Sequence, residues 1–151
     1  MTELSNRSYS RHARVRARRN AVQACYQWLI NKQPMDSVIR EFMDERSELK
    51  KADREYFREL LEGMSRYSDE LDSTLGQFLD RTLDEIDPVE RAILKLGMYE
   101  LMHHPELPWR VIMNESVELA KMFGAEQSHK YINGVLDKAA RKVRGSETSS
   151  S

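Results

Sequence analysis

The sequence predicts an all-α protein of six or seven helices, arranged as a compact bundle of two packed helical halves. Three observations carry that expectation. Backbone breakers are scarce, with 6 glycines and 4 prolines among 151 residues. Apolar side chains recur at spacings of three and four along most of the chain, which is the period of a helix face. No stretch shows the apolar–polar alternation of a half-buried strand. A hydrophobic share of 40% beside a charged share of 32% suits helices that bury one face and wet the other.

Element by element, residues 1–12 read as a flexible basic arm, polar and aperiodic at its start. From Ala13 to Ile30 a helical stripe of Ala17, Ala21, Ala24, Cys25 and Trp28 appears, and Pro34 ends it because proline cannot extend the hydrogen-bond ladder. Val38, Ile39, Phe42 and Met43 mark a short amphipathic helix, and the charged segment Asp44–Lys51 reads as a solvated connection. A helix carrying Phe57, Leu60, Leu61 and Met64 follows, then one with Tyr67, Leu71, Leu75, Phe78 and Leu79. The acidic stretch 80–87 reads as the junction between halves of about 13–83 and 87–145 within one domain, 13–145.

Asp87, Pro88 and Glu90 make a helix-start signal: a capping carboxylate, a proline suited to the first turn, and an acid three residues after the cap. The helix they open is apolar nearly all round, from Val89 to Met102, and is the expected core helix. Pro108 opens the next helix and Gly124 closes it. The last has a stripe of Ile132, Val135, Leu136, Ala139, Ala140 and Val143, and the tail 146–151 reads as disordered. Asn133-Gly134 is anomalous, because a glycine within a helix costs about 1 kcal/mol relative to alanine. Either a close helix contact or a nearby ligand surface would account for it.

Charge is segregated. Residues 1–20 hold Arg7, Arg11, Arg14, Arg16, Arg18 and Arg19 against the single acid Glu3, although the chain as a whole is at −1. On a helical wheel Arg11, Arg14 and Arg18 border the apolar stripe, while Arg16 and Arg19 lie opposite. Like charges packed this closely repel by a few tenths of a kcal/mol per pair. A polyanion partner gives that repulsion a use, and arginine's planar fork suits phosphate and stacks on unpaired bases. The bland alternative is a solvated basic face.

Catalytic and metal readings fail on inventory. His103 and His104 are adjacent and diverge on a helix, Cys25 stands alone within an apolar stripe, and the glycines are isolated, so neither a zinc set nor a phosphate loop is present. The acids lie in open stretches unsuited to acid catalysis. The expectation is no catalytic residue, no metal and no cofactor. Nothing is apolar enough to span a membrane, no secretory signal follows the basic N-terminus, and one cysteine permits no internal disulfide, so a cytoplasmic location is expected.

The blocks ARVRARRNAVQACYQW from Ala13, DREYFRELLEG from Asp53, AILKLGMYEL from Ala92, VIMNESVELAKMFG from Val111 and SHKYINGVLDKAA from Ser128 resemble the NusB family. The likeness runs in order from Arg14 to Val143. It implies an all-α fold of two helical halves and a role in transcription antitermination. It also implies pairing with a NusE-type small-subunit ribosomal protein, binding of boxA RNA, and action with RNA polymerase and other Nus factors on ribosomal RNA operons.

On this resemblance the RNA-contacting residues are Arg14, Arg16, Arg18 and Arg19, joined by Lys121, Lys130 and Tyr131, whose ring could stack on a base. Val15 stands where relatives often carry a base, and Arg19 adds a charge. The partner face is expected at Phe78, Asp84 and Glu90, since a ribosomal protein is typically basic and residues 69–90 are rich in acids. Glu90 equally suits a capping box. Self-association as a homodimer stays open. The competing readings are an RNA-targeting module of the kind fused to some ribosomal RNA methyltransferases, and a DNA-binding helical regulator. No methyl-donor site and no helix-turn-helix signal support either.

Overall fold

The computed structural model describes residues 3–149, with side chains from Arg11 onward. Its elements are α1 (Glu3–Asn31), α2 (Met35–Glu45), a 3-10 turn (Ser47–Lys51), α3 (Arg54–Arg66), α4 (Ser68–Gly76), a second 3-10 turn (Leu83–Glu85), α5 (Pro88–His103), α6 (Trp109–Phe123), α7 (Ser128–Val143) and α8 (Gly145–Ser149). Among the described residues there are thus eight α-helices, one more than the upper expectation, and no strand. The chain divides into two units, Met1–Ser65 and Arg66–Ser151. The division falls earlier than the acidic junction at 80–87 expected from sequence. α4 packs on α5, and the buried ammonium of Lys95 on α5 donates to Ser68 Oγ (2.7 Å) and Asp72 Oδ1 (3.0 Å) of α4.

In the first unit α1 buries Ala17, Ala21, Ala24 and Cys25 of the expected stripe, together with Ala13, while Trp28 of that stripe is only half-buried. Small side chains on this face let α2 and the 3-10 turn lie close against it. The turn is not the solvated connection expected from its charges: Leu49 is fully buried and pins it. Polar bonds stitch α1 to α2, with Gln27 Nε2 donating to Glu41 (2.9 Å) and Arg46 donating to Gln23 (2.7 Å). α1 ends in a left-handed residue, Lys32 at φ 56°, whose N–H donates to Trp28 O (2.9 Å). That cap closes the helix two residues before Pro34. Of the arm expected over 1–12, residues 3–12 have helical backbone and residues 1–2 lie outside the described residues.

In the second unit α5 is the core helix, with every residue from Ala92 to Leu101 buried. Asp87 caps it, its carboxylate accepting from the N–H groups of Val89 (2.8 Å) and Glu90 (3.4 Å). α5, α6 and α7 pack on one another around Gly97, where an added Cβ would lie 2.8 Å from Leu136 Cδ1 and 3.2 Å from Ser116 Oγ. Gly134 is the opposite case: it is exposed, with nothing within reach of an added Cβ, so the close helix contact weighed for it does not exist.

The tail expected to be disordered is ordered by Arg144. Its buried guanidinium donates to the carbonyls of Leu101 (3.0 Å), Glu100 (3.1 Å), His104 (2.7 Å) and Leu107. Of these, the Leu101 carbonyl near the end of α5 lacks a helical partner, because Pro105 four residues on has no N–H to donate. Glu147 pairs with Arg144 (3.2 Å) and accepts from the Trp109 N–H (2.8 Å), which holds α8 as a helix through Ser149. Residues 150–151 lie outside the described residues.

Candidate nucleic-acid interface

The arginines of α1 separate into different environments. Arg18 is only 4% exposed, its guanidinium 5.4 Å from the centroid of the Tyr56 ring. The border position expected for it is therefore wrong: Tyr56, carried onto this face by α3, closes over it. Arg14 covers the same ring at 4.2 Å from a more open position and faces Asp53 Oδ2 at 3.7 Å. Asp53 is itself held, donating its N–H to Ala13 O and accepting at its carboxylate from the Tyr56 N–H, both at 3.0 Å. Arg11 and His12 are exposed, and Arg16 is half-buried.

Arg19 pairs with Glu48 at 3.0 Å, both side chains about one-third exposed. Arg16 and Arg19 face a shallow depression whose other walls are Ser47, Glu48, Lys50 and Lys51 of the 3-10 turn. Lys50 and Lys51 are exposed and were not among the residues singled out from sequence. The signal was present as a lysine pair following Leu49, but only the burial of Leu49 puts both ammonium groups beside α1. Another groove, between α2 and α3, mixes Arg40, Arg54 and Arg58 with Asp36, Asp44 and Glu62 and has no net sign.

In the second unit Lys121 is exposed near the end of α6, 3.7 Å from Glu118, and Lys130 is exposed in the first turn of α7. Tyr131 is half-buried at the edge of the α7 core stripe. Its hydroxyl donates to Asp80 Oδ1 (3.3 Å), and Arg81 lies over its ring at 4.9 Å from the centroid. Burial, reinforced by the negative charge of Asp80, holds the phenol pKa above its ordinary value. The hydrogen bond from Arg81 holds the Asp80 carboxyl below the usual range. Sequence reading missed Asp80 and Arg81 as companions of this ring, since they lie about fifty positions away.

The residues expected to face a partner also separate by environment. Phe78 is half-buried beyond the end of α4 rather than within a helix. Asp84 has a 97% exposed side chain, with Arg91 at 3.8 Å, while Glu90 is half-buried on the first turn of α5. Other acids of the stretch are committed internally: Asp72 to Lys95 and Glu70 to His103 (3.2 Å). On α1, Tyr26 and Ile30 are 40% and 50% exposed, an apolar pair one turn apart that the stripe pattern had not set aside.

Among the described residues no group of histidine, cysteine and acidic side chains could hold a metal, and no helix is long and apolar enough to cross a membrane. The described residues make up an all-helical protein that displays partly open arginines along α1. The chain belongs to the NusB family, whose family model matches residues 15–141; it is a family of transcription antitermination factors, not of enzymes. The transcription antitermination protein NusB of Nitrosococcus oceani is 49% identical over 134 residues, covering 89% of each chain. That of Hydrogenovibrio crunogenus is 44% identical, covering 97% of this chain and 90% of its own.

Solved structures agree on the fold. T. maritima NusB superposes with a TM-score of 0.75 at 29% identity, covering 85% of this chain and 91% of that one. A crystal structure of NusB and NusE in complex with double-stranded RNA gives 0.71 at 25% identity, covering 85% and 96%.

Proposed function

We propose that this chain is a cytoplasmic RNA-binding antitermination factor that pairs with the NusE-type ribosomal protein and binds boxA RNA. As part of a complex with other Nus factors it helps RNA polymerase resist termination on ribosomal RNA operons. The observation that carries this reading is the outward face of α1, where Arg11, Arg14, Arg16 and Arg19 are at least partly open to solvent. The family relationship, and the presence of both NusE and RNA in a relative's structure, support the two partners.

Arg14, Arg16 and Arg19 supply phosphate contacts in the first unit. Lys121 and Lys130 add charge in the second, where the Tyr131 ring offers a stacking face. Arg18 is a packing residue that keeps Tyr56 and Arg14 in place. Phe78, Asp84 and Glu90 form the partner face, an apolar centre beside acids that suit a basic ribosomal protein. The test is co-purification with the NusE-type ribosomal protein followed by competition among boxA RNA, scrambled RNA and duplex DNA. Pairing and preference for boxA are expected. A chain that pairs with nothing, or prefers duplex DNA, overturns the reading.

A further inference from the structure

We propose that Lys50 and Lys51, on the 3-10 turn beside α1, bind the RNA backbone together with Arg16 and Arg19, as a phosphate-binding element outside the arginine helix. The proposal rests on the RNA-binding reading above and assigns part of that surface to residues from a different element.

The 3-10 turn Ser47–Lys51 is anchored by one fully buried side chain, Leu49, and by its packing on α1. The residues after that anchor, Lys50 and Lys51, stay exposed and wall the depression shared with Arg16 and Arg19. Four cations therefore meet one carboxylate, Glu48, which is already engaged by Arg19 at 3.0 Å. Such crowding of like charge contributes nothing to the fold, which Leu49 secures, and costs a few tenths of a kcal/mol per close pair. A phosphate backbone reverses the sign of that cost by displacing counterions.

The two kinds of cation divide the work. Arginine offers a planar fork for two oxygens of one phosphate, while lysine is a flexible point charge that tolerates many backbone paths. Contacts of the second kind set affinity and register but carry no sequence information. The element thus strengthens RNA binding without choosing the sequence.

The experiment uses the full chain, with fluorescently labelled single-stranded RNA bearing a boxA element and a scrambled RNA of equal length. Anisotropy is followed from about 50 to about 200 mM salt, the range over which counterion release is most visible. Replacing Lys50→Gln and Lys51→Gln together is expected to lower the log–log salt slope by about 1.4 and weaken both RNAs by the same factor, roughly tenfold at low salt. The melting temperature should not move, since both side chains are exposed. Arg54→Gln with Arg58→Gln removes the same charge from the other groove and should leave the slope alone. Wild-type slope and affinity in the Lys50/Lys51 variant, beside loss in Arg16→Glu, overturn this inference alone. Equal losses from the Arg54/Arg58 pair also overturn it, since the effect is then net charge. A wild-type chain that binds neither RNA overturns the RNA-binding reading itself.

Discussion

Arg18 and Tyr56 form a buried cation–π contact, guanidinium carbon 5.4 Å from the ring centroid, with Arg18 only 4% exposed. An arginine in the middle of the basic run of α1 is thus part of the packing of α1 against α3. Arg18→Ala should lower stability by about 1–3 kcal/mol through lost contact with the ring and a poorly filled space. Arg16→Ala, at a more open position, should stay within about 0.5 kcal/mol of wild type. Thermal melts of the two variants check this, and equal melting temperatures would show that Arg18 is not a packing residue.

Tyr131 should respond differently to RNA affinity and pH measurements. Tyr131→Ala is expected to cost about 1–3 kcal/mol of RNA affinity with no change in salt slope, and Tyr131→Phe almost nothing, because the ring face survives. Burial and Asp80 raise the phenol pKa in the fold, so the folded chain keeps this proton to higher pH than the unfolded chain. The associated stability is present below the unfolded value, about 10, and is lost as pH rises through the folded one. Ultraviolet titration should show a late-ionising contribution that is lost in Tyr131→Phe and moves down in Asp80→Asn.

Two glycines of the second unit, Gly97 and Gly134, should give opposite signs. Gly97→Ala places a methyl 2.8 Å from Leu136 Cδ1 in a closed core and should destabilise by about 1–3 kcal/mol. Gly134→Ala meets nothing and should stabilise α7 by about 0.5–1 kcal/mol. If Gly134→Ala also weakens RNA binding in the same preparation, the glycine serves a close-approaching ligand; unchanged affinity assigns it no such role.

Arg144→Lys should cost about 2–4 kcal/mol, because one ammonium cannot serve the spread of carbonyls that the guanidinium fork reaches. The companion Glu147 has its pKa held down, first by the Trp109 N–H and then by Arg144. Its contribution is therefore present above the unfolded value and is lost as pH falls through the folded one. The melting temperatures of wild type and Glu147→Gln should converge below about pH 4. A constant difference across the acid range would mean that the carboxylate's charge is not what holds α8.

Charge reversal at Asp84 or Glu90 should impair pairing with a basic ribosomal protein more than RNA contact. Asp84, almost wholly exposed, is expected to act on association rate and to lose its effect at high salt. Glu90, half-buried on the capped turn of α5, is expected to change dissociation as well. Stopped-flow binding separates the two, and salt-independent behaviour of Asp84→Lys would remove it from the partner face.

The order and kind of the main helices were legible in the sequence because a 3.6-residue period and its stop signals are local properties. Asp87 and Pro88 begin α5 through a carboxylate within reach of the next two N–H groups, and the same local logic placed the stripes of α1 and α7. The arginine run was equally plain as composition. Its division into buried and open members was not, since Arg18 is covered by a ring 38 positions away that no pattern around Arg18 reveals. Lys50 and Lys51 looked like solvated charge until the burial of Leu49 set them beside Arg16 and Arg19. The polar tail looked disordered because its order comes from Arg144 reaching carbonyls more than thirty residues away. Local periodicity determines which segments become helices; which charges those helices bury or display depends on partners distant in sequence, and only the folded chain brings those partners together.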